Sequence, residues 1–253
     1  MLRKFLSSNW AKVAVFVLSL GPLLFLVWRA VQGDLTPNPV EFLQHQTGDW
    51  ALRFLVFTLC ITPFRKISEL PELIRFRRML GLFAFFYVCL HFLTYLGPDQ
   101  NFEVAGMWKD VAKRRYITVG FAAFVLLIPL AVTSTAAWIR RLGGKRWQAL
   151  HRAVYACAVL SVVHYYWRVK SDIRKPVFYG ALVGILLAWR LGTRLLKKKA
   201  PVAVRTSPAT PRTPLSVGPP GNRSSRGRRE HRFREQCAHG EPEEYESPSG
   251  RRS

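Results

Sequence analysis

The chain has 253 residues, 49% of them hydrophobic, and carries a formal net charge of +23 at pH 7. In a soluble protein such a charge would suggest nucleic-acid binding, but here the apolar residues gather in long blocks. Most Lys and Arg lie in short loops beside those blocks, where they orient helices and contact anionic lipid headgroups. The sequence therefore predicts an all-α, polytopic membrane protein and argues against nucleic acid as a partner.

Six apolar segments approach the roughly 20 helical residues that cross a bilayer core of about 30 Å. The first follows basic residues as a secretory signal would, but its apolar run continues to Trp28 without a small-residue cleavage site. We therefore expect the mature chain to keep it. The second segment is short, so neighbouring helices must help to bury it. The predicted spans cover residues 12–32, 50–64, 77–97, 116–134, 147–170 and 176–196.

The loops between these spans predict the orientation. Basic residues concentrate in 65–78, in 140–146 and at 197–199, which all fall on one side of a six-span bundle. Retained Lys and Arg mark the cytoplasmic side. The first loop carries acids and no Lys or Arg, which places it outside, whereas the third and fifth loops are mixed. Both termini are predicted to be cytoplasmic.

The composition changes after residue 199 to Pro, Ser, Arg and Glu. Such a segment has too little apolar area to offset the entropy of the chain. We expect two parts: a transmembrane domain over residues 1–199 and a disordered, Pro/Ser/Arg-rich cytoplasmic tail over 200–253.

Three histidines lie inside predicted spans: His91, His151 and His164. Titratable side chains within a membrane are costly and usually mark a ligand site, a proton relay or an ion path. The other three histidines fall in a predicted loop or in the tail, where solvated side chains are expected: His45, His231 and His239.

His91 and His164 are predicted at the same depth. The third and fifth spans both run outward, and each places its histidine a few residues before its outer end. Two imidazoles that face each other across a helix bundle can serve as the axial ligands of haem b. In the alternative, each imidazole only hydrogen-bonds a carbonyl or hydroxyl between spans.

His151 precedes His164 by thirteen residues, which is about 20 Å of rise in a continuous helix. That separation would allow a second haem in the inner leaflet. However, thirteen steps of roughly 100° leave the two side chains about 140° apart. No histidine is evident opposite it at that depth. Met79 could be a second axial ligand, although a Met there is more often simple packing. The inner site stays open on this reasoning.

Four stretches together resemble the MsrQ (YedZ) family within the ferric-reductase-like transmembrane superfamily. They are TGDWALRFLVFTLCITPFR, RFRRMLGLFAFFYVCLHFLTYLG, RRYITVGFAAFVLLIPLAVTST and RLGGKRWQALHRAVYACAVLSVVHYYWRVK. The resemblance covers most of residues 1–199 and implies a six-helix bundle with haem between the third and fifth spans. It makes His91, His151 and His164 the candidate haem ligands.

The resemblance also implies a function. Members of the family are expected to bind one or two haems b and FMN in the bacterial inner membrane. They are expected to pass electrons from quinol to a periplasmic molybdopterin-containing catalytic subunit, which forms a heterodimer with them and reduces methionine sulfoxide in oxidised proteins. On this interpretation the chain is an electron-transfer subunit and not the catalytic one.

Two other classes of protein share some of these features. A self-contained ferric reductase or NADPH oxidase would add a large FAD and nicotinamide domain, and no GxGxxG motif follows a strand here. A membrane transporter or scaffold would use the histidines as a proton relay or for helix packing. Transporters often show duplicated halves, and none is evident in this sequence.

Overall fold

A computed structural model describes residues 2–169 and 172–199. In this part of the chain every regular element is a helix and there is no strand, which confirms the all-α prediction. The nine α-helices of the described residues are α1 (Leu2–Ser7), α2 (Asn9–Val31), α3 (Pro39–Ile67), α4 (Ile74–Thr94), α5 (Val104–Lys113), α6 (Arg115–Val132), α7 (Ala136–Leu150), α8 (Ala153–Arg168) and α9 (Arg174–Lys199).

Four helical segments are long and apolar enough to cross a membrane, and the chain is a membrane protein. Two of the six predicted spans, those within α3 and α8, do not reach this standard. Charged residues such as Asp49 and Arg53 interrupt α3, and the 16 residues of α8 rise only about 24 Å. The four qualifying segments are Asn9–Val31, Pro71–Pro98, Arg115–Val132 and Arg174–Leu196.

Two predicted spans differ from the helices of the structure. The second span was expected to begin at Trp50, but α3 begins at Pro39, where the Asn38 side chain accepts a hydrogen bond from the Glu41 N–H at 3.2 Å. The fifth span was expected to be continuous, but the chain turns between α7 and α8. His151 lies at this turn. The distance from His151 to His164 that was estimated along one straight helix therefore does not apply.

The core forms where α3 packs against α4 and α6 packs against α8. Three side chains at its centre are fully buried: Tyr87, Cys157 and Ala158. Small residues on α8 allow the neighbouring helices to approach closely. This packing determines which faces of α4 and α8 turn toward each other.

Tyr87 also joins α4 to α2 at a proline. Pro22 lies between Ser19 and Leu23, and a proline ring clashes with the helix carbonyl one turn earlier and opens the helix. The Tyr87 hydroxyl donates to the Ser19 carbonyl oxygen at 2.9 Å and accepts from the Leu23 N–H at 3.1 Å. These backbone groups would bond each other in an undisturbed helix. The hydroxyl therefore satisfies both of them.

The predicted tail, 200–253, lies outside the described residues, and so do His231 and His239. The division of the chain at residue 199 into a haem domain and a tail stays a prediction.

Candidate functional site

His91 of α4 and His164 of α8 lie side by side. Their ring centroids are 6.2 Å apart and the ring planes meet at 78°. The third predicted span and the outer part of the fifth therefore do bring their histidines together.

Both imidazoles are held by a backbone carbonyl. Nδ1 of His91 lies 2.9 Å from the carbonyl oxygen of Gln44 on α3, and Nδ1 of His164 lies 2.6 Å from that of Tyr116 on α6. A carbonyl oxygen only accepts, so each Nδ1 carries the hydrogen and donates it. The lone pair of each ring then resides on Nε2. Histidines that bind metals are usually held in this way.

A glycine lies beside each ring. Gly48 follows Gln44 by one helical turn, and Gly120 follows Tyr116 by one turn. A side chain on a helix covers the turn that precedes it, so a larger residue here would cover the carbonyl. A Cβ on Gly120 would lie 2.5 Å from Nδ1 of His164, and one on Gly48 would lie 3.1 Å from Nδ1 of His91. The missing side chains open both carbonyls to the imidazoles.

The two histidines line one cavity of about 200 Å³. Polar groups contribute to its lining, among them Asp49, Tyr165 and Arg168. In the part of the chain that the structure describes, no three His, Cys, Asp or Glu side chains converge as a metal site. The protein thus offers two facing nitrogen ligands in a largely apolar slot. Its apolar wall includes Leu52, Leu55, Val88, Phe92, Phe124 and Leu127.

His45 belongs to this cavity, although the sequence placed it in a loop. Because α3 begins at Pro39, His45 lies one turn before the apolar part of that helix. Its Nε2 is 3.6 Å from a carboxylate oxygen of Glu41. The early start of α3 was signalled by Asn38 and Pro39, a capping residue followed by a proline in the first turn.

His151 is apart from the pair. Its ring stacks on Trp147 with centroids 4.0 Å apart, and its Nε2 lies 3.1 Å from the Thr133 hydroxyl. That hydroxyl donates to the Pro129 carbonyl at 2.6 Å, so it accepts from His151, whose Nε2 carries the hydrogen. Met79, the partner proposed from sequence, packs against the hydrophobic core and is not among the residues that line the cavity beside His151.

The match to a family model gives the class of protein. Residues 47–162, which include His91 and His151 and end just before His164, match the family described as "Ferric reductase like transmembrane component". The comparison with solved structures gave no match.

Relatives narrow this class further, and each is named as a protein-methionine-sulfoxide reductase heme-binding subunit MsrQ. The protein from Herminiimonas arsenicoxydans is 53% identical over 71% of this chain and 84% of its own length. The one from Rhodospirillum rubrum is 50% identical over 75% and 91%. The one from Xanthomonas campestris pv. campestris is 44% identical over 85% and 100%. The chain belongs to the MsrQ family, which confirms the resemblance seen in its sequence.

Proposed function

We propose that this chain is a haem-binding, electron-transfer subunit of a methionine-sulfoxide reductase system, with haem b held between His91 and His164. The observation that carries the proposal is the adjacent pair of imidazoles, each with Nδ1 bonded to a carbonyl and, among the described residues, no hydrogen bond given to its Nε2. The site offers two protein ligands and no third. This suits haem, because the porphyrin ring fills the other coordination positions of the iron. The relatives' names, which state a heme-binding subunit, support the same cofactor.

The residues of the site have separable tasks. His91 and His164 would supply the ligand nitrogens, and the carbonyls of Gln44 and Tyr116 fix the tautomer and raise the basicity of each ring. The apolar lining excludes water and lowers the local dielectric, which tunes a redox potential. When bound, the haem supplies a one-electron redox centre.

Substitution of each histidine tests this proposal. In His91→Ala and His164→Ala, we expect most of the low-spin b-type absorption to disappear while the chain still inserts, because neither change shortens a span. His45→Ala is the comparison variant, because His45 lines the same cavity but is not one of the two proposed ligands, and it should keep most of its haem. Full haem content in both single variants, or a colourless wild-type protein after expression with ample haem, would refute the assignment.

The electrons are proposed to come from membrane quinol and to leave for a periplasmic molybdopterin-containing partner. The helix α5 supports a contact with a partner, because Trp108 is 55% exposed on it and the helix also carries Lys109 and Lys113. The Trp108 ring lies 5.5 Å from Phe121, which lines the histidine cavity. A partner bound at α5 would therefore lie close to the site, and the basic residues could attract an acidic surface.

We also propose that FMN binds this protein and that His151 is the candidate ligand of a second haem. His151 lines a second cavity of about 550 Å³. To bind iron through Nε2, His151 would have to release Thr133.

A further inference from the structure

The second cavity has an unusual charge. None of the residues that line it is Asp or Glu, whereas five are arginines. We call it the arginine cavity, after Arg77, Arg78, Arg152, Arg190 and Arg194.

These arginines have no carboxylate partner in the described part of the chain. The ion pairs found there involve Arg29, His45 and Arg114, none of which lines this cavity. Arg77 and Arg190 are only partly exposed. Cations that are partly removed from water and lie near one another are unfavourable unless an anion compensates them. The cavity is therefore electrostatically prepared for a negatively charged group.

Arg190 is held in place from two sides. Its guanidinium lies over the Tyr155 ring, 4.8 Å from the centroid, and donates a hydrogen bond to the Thr62 hydroxyl. Arg194 approaches the same ring at 6.0 Å. A guanidinium that is already fixed loses less entropy when it binds a ligand, and its planar fork matches a carboxylate or a phosphate.

The remaining lining is apolar and aromatic. Phe85, Trp147 and Tyr155 contribute rings, and Leu82 and Leu127 contribute aliphatic surface. Such walls suit a flat aromatic body, while the arginines suit acid groups on its edge. We propose that the arginine cavity binds the acid groups of a flat aromatic cofactor.

This inference rests on the proposed function, because it names where one of the cofactors of an electron-transfer subunit would bind. Two sources share the chemistry: the phosphate of FMN and the carboxylates of a second haem beside His151. The experiment below distinguishes them.

The first arm measures flavin binding to the purified full-length protein by fluorescence quenching. Riboflavin lacks the phosphate of FMN and is otherwise the same ligand. If the phosphate binds the arginines, FMN should bind about tenfold or more tightly than riboflavin, since a hydrogen bond to a charged group is worth that much. Arg77→Gln or Arg190→Gln should reduce this ratio to roughly twofold, and Arg190→Lys should restore part of it. Arg140→Gln in α7 is the control, because Arg140 does not line the cavity.

The second arm measures haem per polypeptide in the same samples. If haem carboxylates occupy the cavity, the two glutamine variants should lose one of two haems and keep the low-spin signal of the His91 and His164 pair. Unchanged flavin ratio and unchanged haem content would overturn the proposal, and so would an equal effect of Arg140→Gln. A wild-type protein without haem would refute the proposed function, while the flavin comparison would still test the arginine cavity.

Discussion

Gly48 and Gly120 determine how the two imidazole rings are oriented. In a regular helix, the carbonyl oxygen four residues before each glycine accepts that glycine's N–H. The oxygen has a second lone pair, which can accept the Nδ1–H of a histidine because the glycine has no side chain to cover it. The two sites are built alike, because the glycine follows the carbonyl residue by four positions in both α3 and α6. Ring orientation at this pair is therefore a property of α3 and α6 as much as of the histidines.

Gly120→Ala should disturb the site more than Gly48→Ala. The new methyl group would lie 2.5 Å from the His164 ring in the first case and 3.1 Å from the His91 ring in the second. We expect the first variant to lose most low-spin haem signal and the second to keep most of it with an altered midpoint potential. Gly184→Ala is the control, since a Cβ there has open space and alanine favours a helix by about 0.5–1 kcal/mol.

A double-mutant cycle separates crowding of the ring from general damage. In a His164→Ala background, Gly120→Ala should no longer lower the thermal midpoint of the haem-free protein, because the ring that it crowds is gone. An equal loss of stability in both backgrounds would show that Gly120 serves the helix packing and not the histidine.

At the scale of elements, α4 stabilises α2 near Pro22 of α2. The Tyr87 hydroxyl satisfies the Ser19 carbonyl and the Leu23 N–H. Tyr87→Phe would leave these buried groups unpaired, and we expect the free energy of unfolding in detergent to fall by about 1–3 kcal/mol. Tyr166→Phe, on an exposed side chain of α8, should change it little. Equal stability of Tyr87→Phe and the wild type would mean that the Ser19 carbonyl and the Leu23 N–H find other partners without the Tyr87 hydroxyl.

At the scale of the whole molecule, the source of electrons can be measured directly. We expect a quinol, and not NADPH alone, to reduce the haem of the purified protein. Reoxidation should accelerate when the periplasmic catalytic partner and a methionine-sulfoxide substrate are added. Stopped-flow absorption at the haem band would follow both steps. Rapid reduction by NADPH without quinol or another protein would contradict the proposed route.

The predicted orientation and tail give a second test at this scale. A reporter fused after Lys199 should behave as cytoplasmic, because the basic loops lie on that side. Removal of residues 201–253 should leave haem content unchanged, since the sequence of that segment predicts no core of its own. A periplasmic reporter signal would reverse the orientation, and loss of haem on truncation would give the tail a part in the site.

The sequence by itself determined the helical class, the membrane location and the pairing of His91 with His164. Apolar blocks and the depth of a residue within a span are local properties, and they can be counted along the chain. The same counting placed His45 in a loop and His151 within one continuous span, and both predictions were wrong. The start of α3 and the turn after α7 depend on capping and packing.

Only the tertiary structure showed which backbone groups hold the rings. Gly48, Gly120 and Gly184 all lie inside helices, and the residues adjacent to them in the sequence do not mark the first two as neighbours of a histidine. Their role arises because a histidine from a neighbouring helix lies against them, and no pattern along one helix records that neighbour. The arginine cavity is similar: its cations come from α4, α9 and the turn before α8, which are distant in sequence. Their convergence depends on the packing of helices, which local periodicity does not specify.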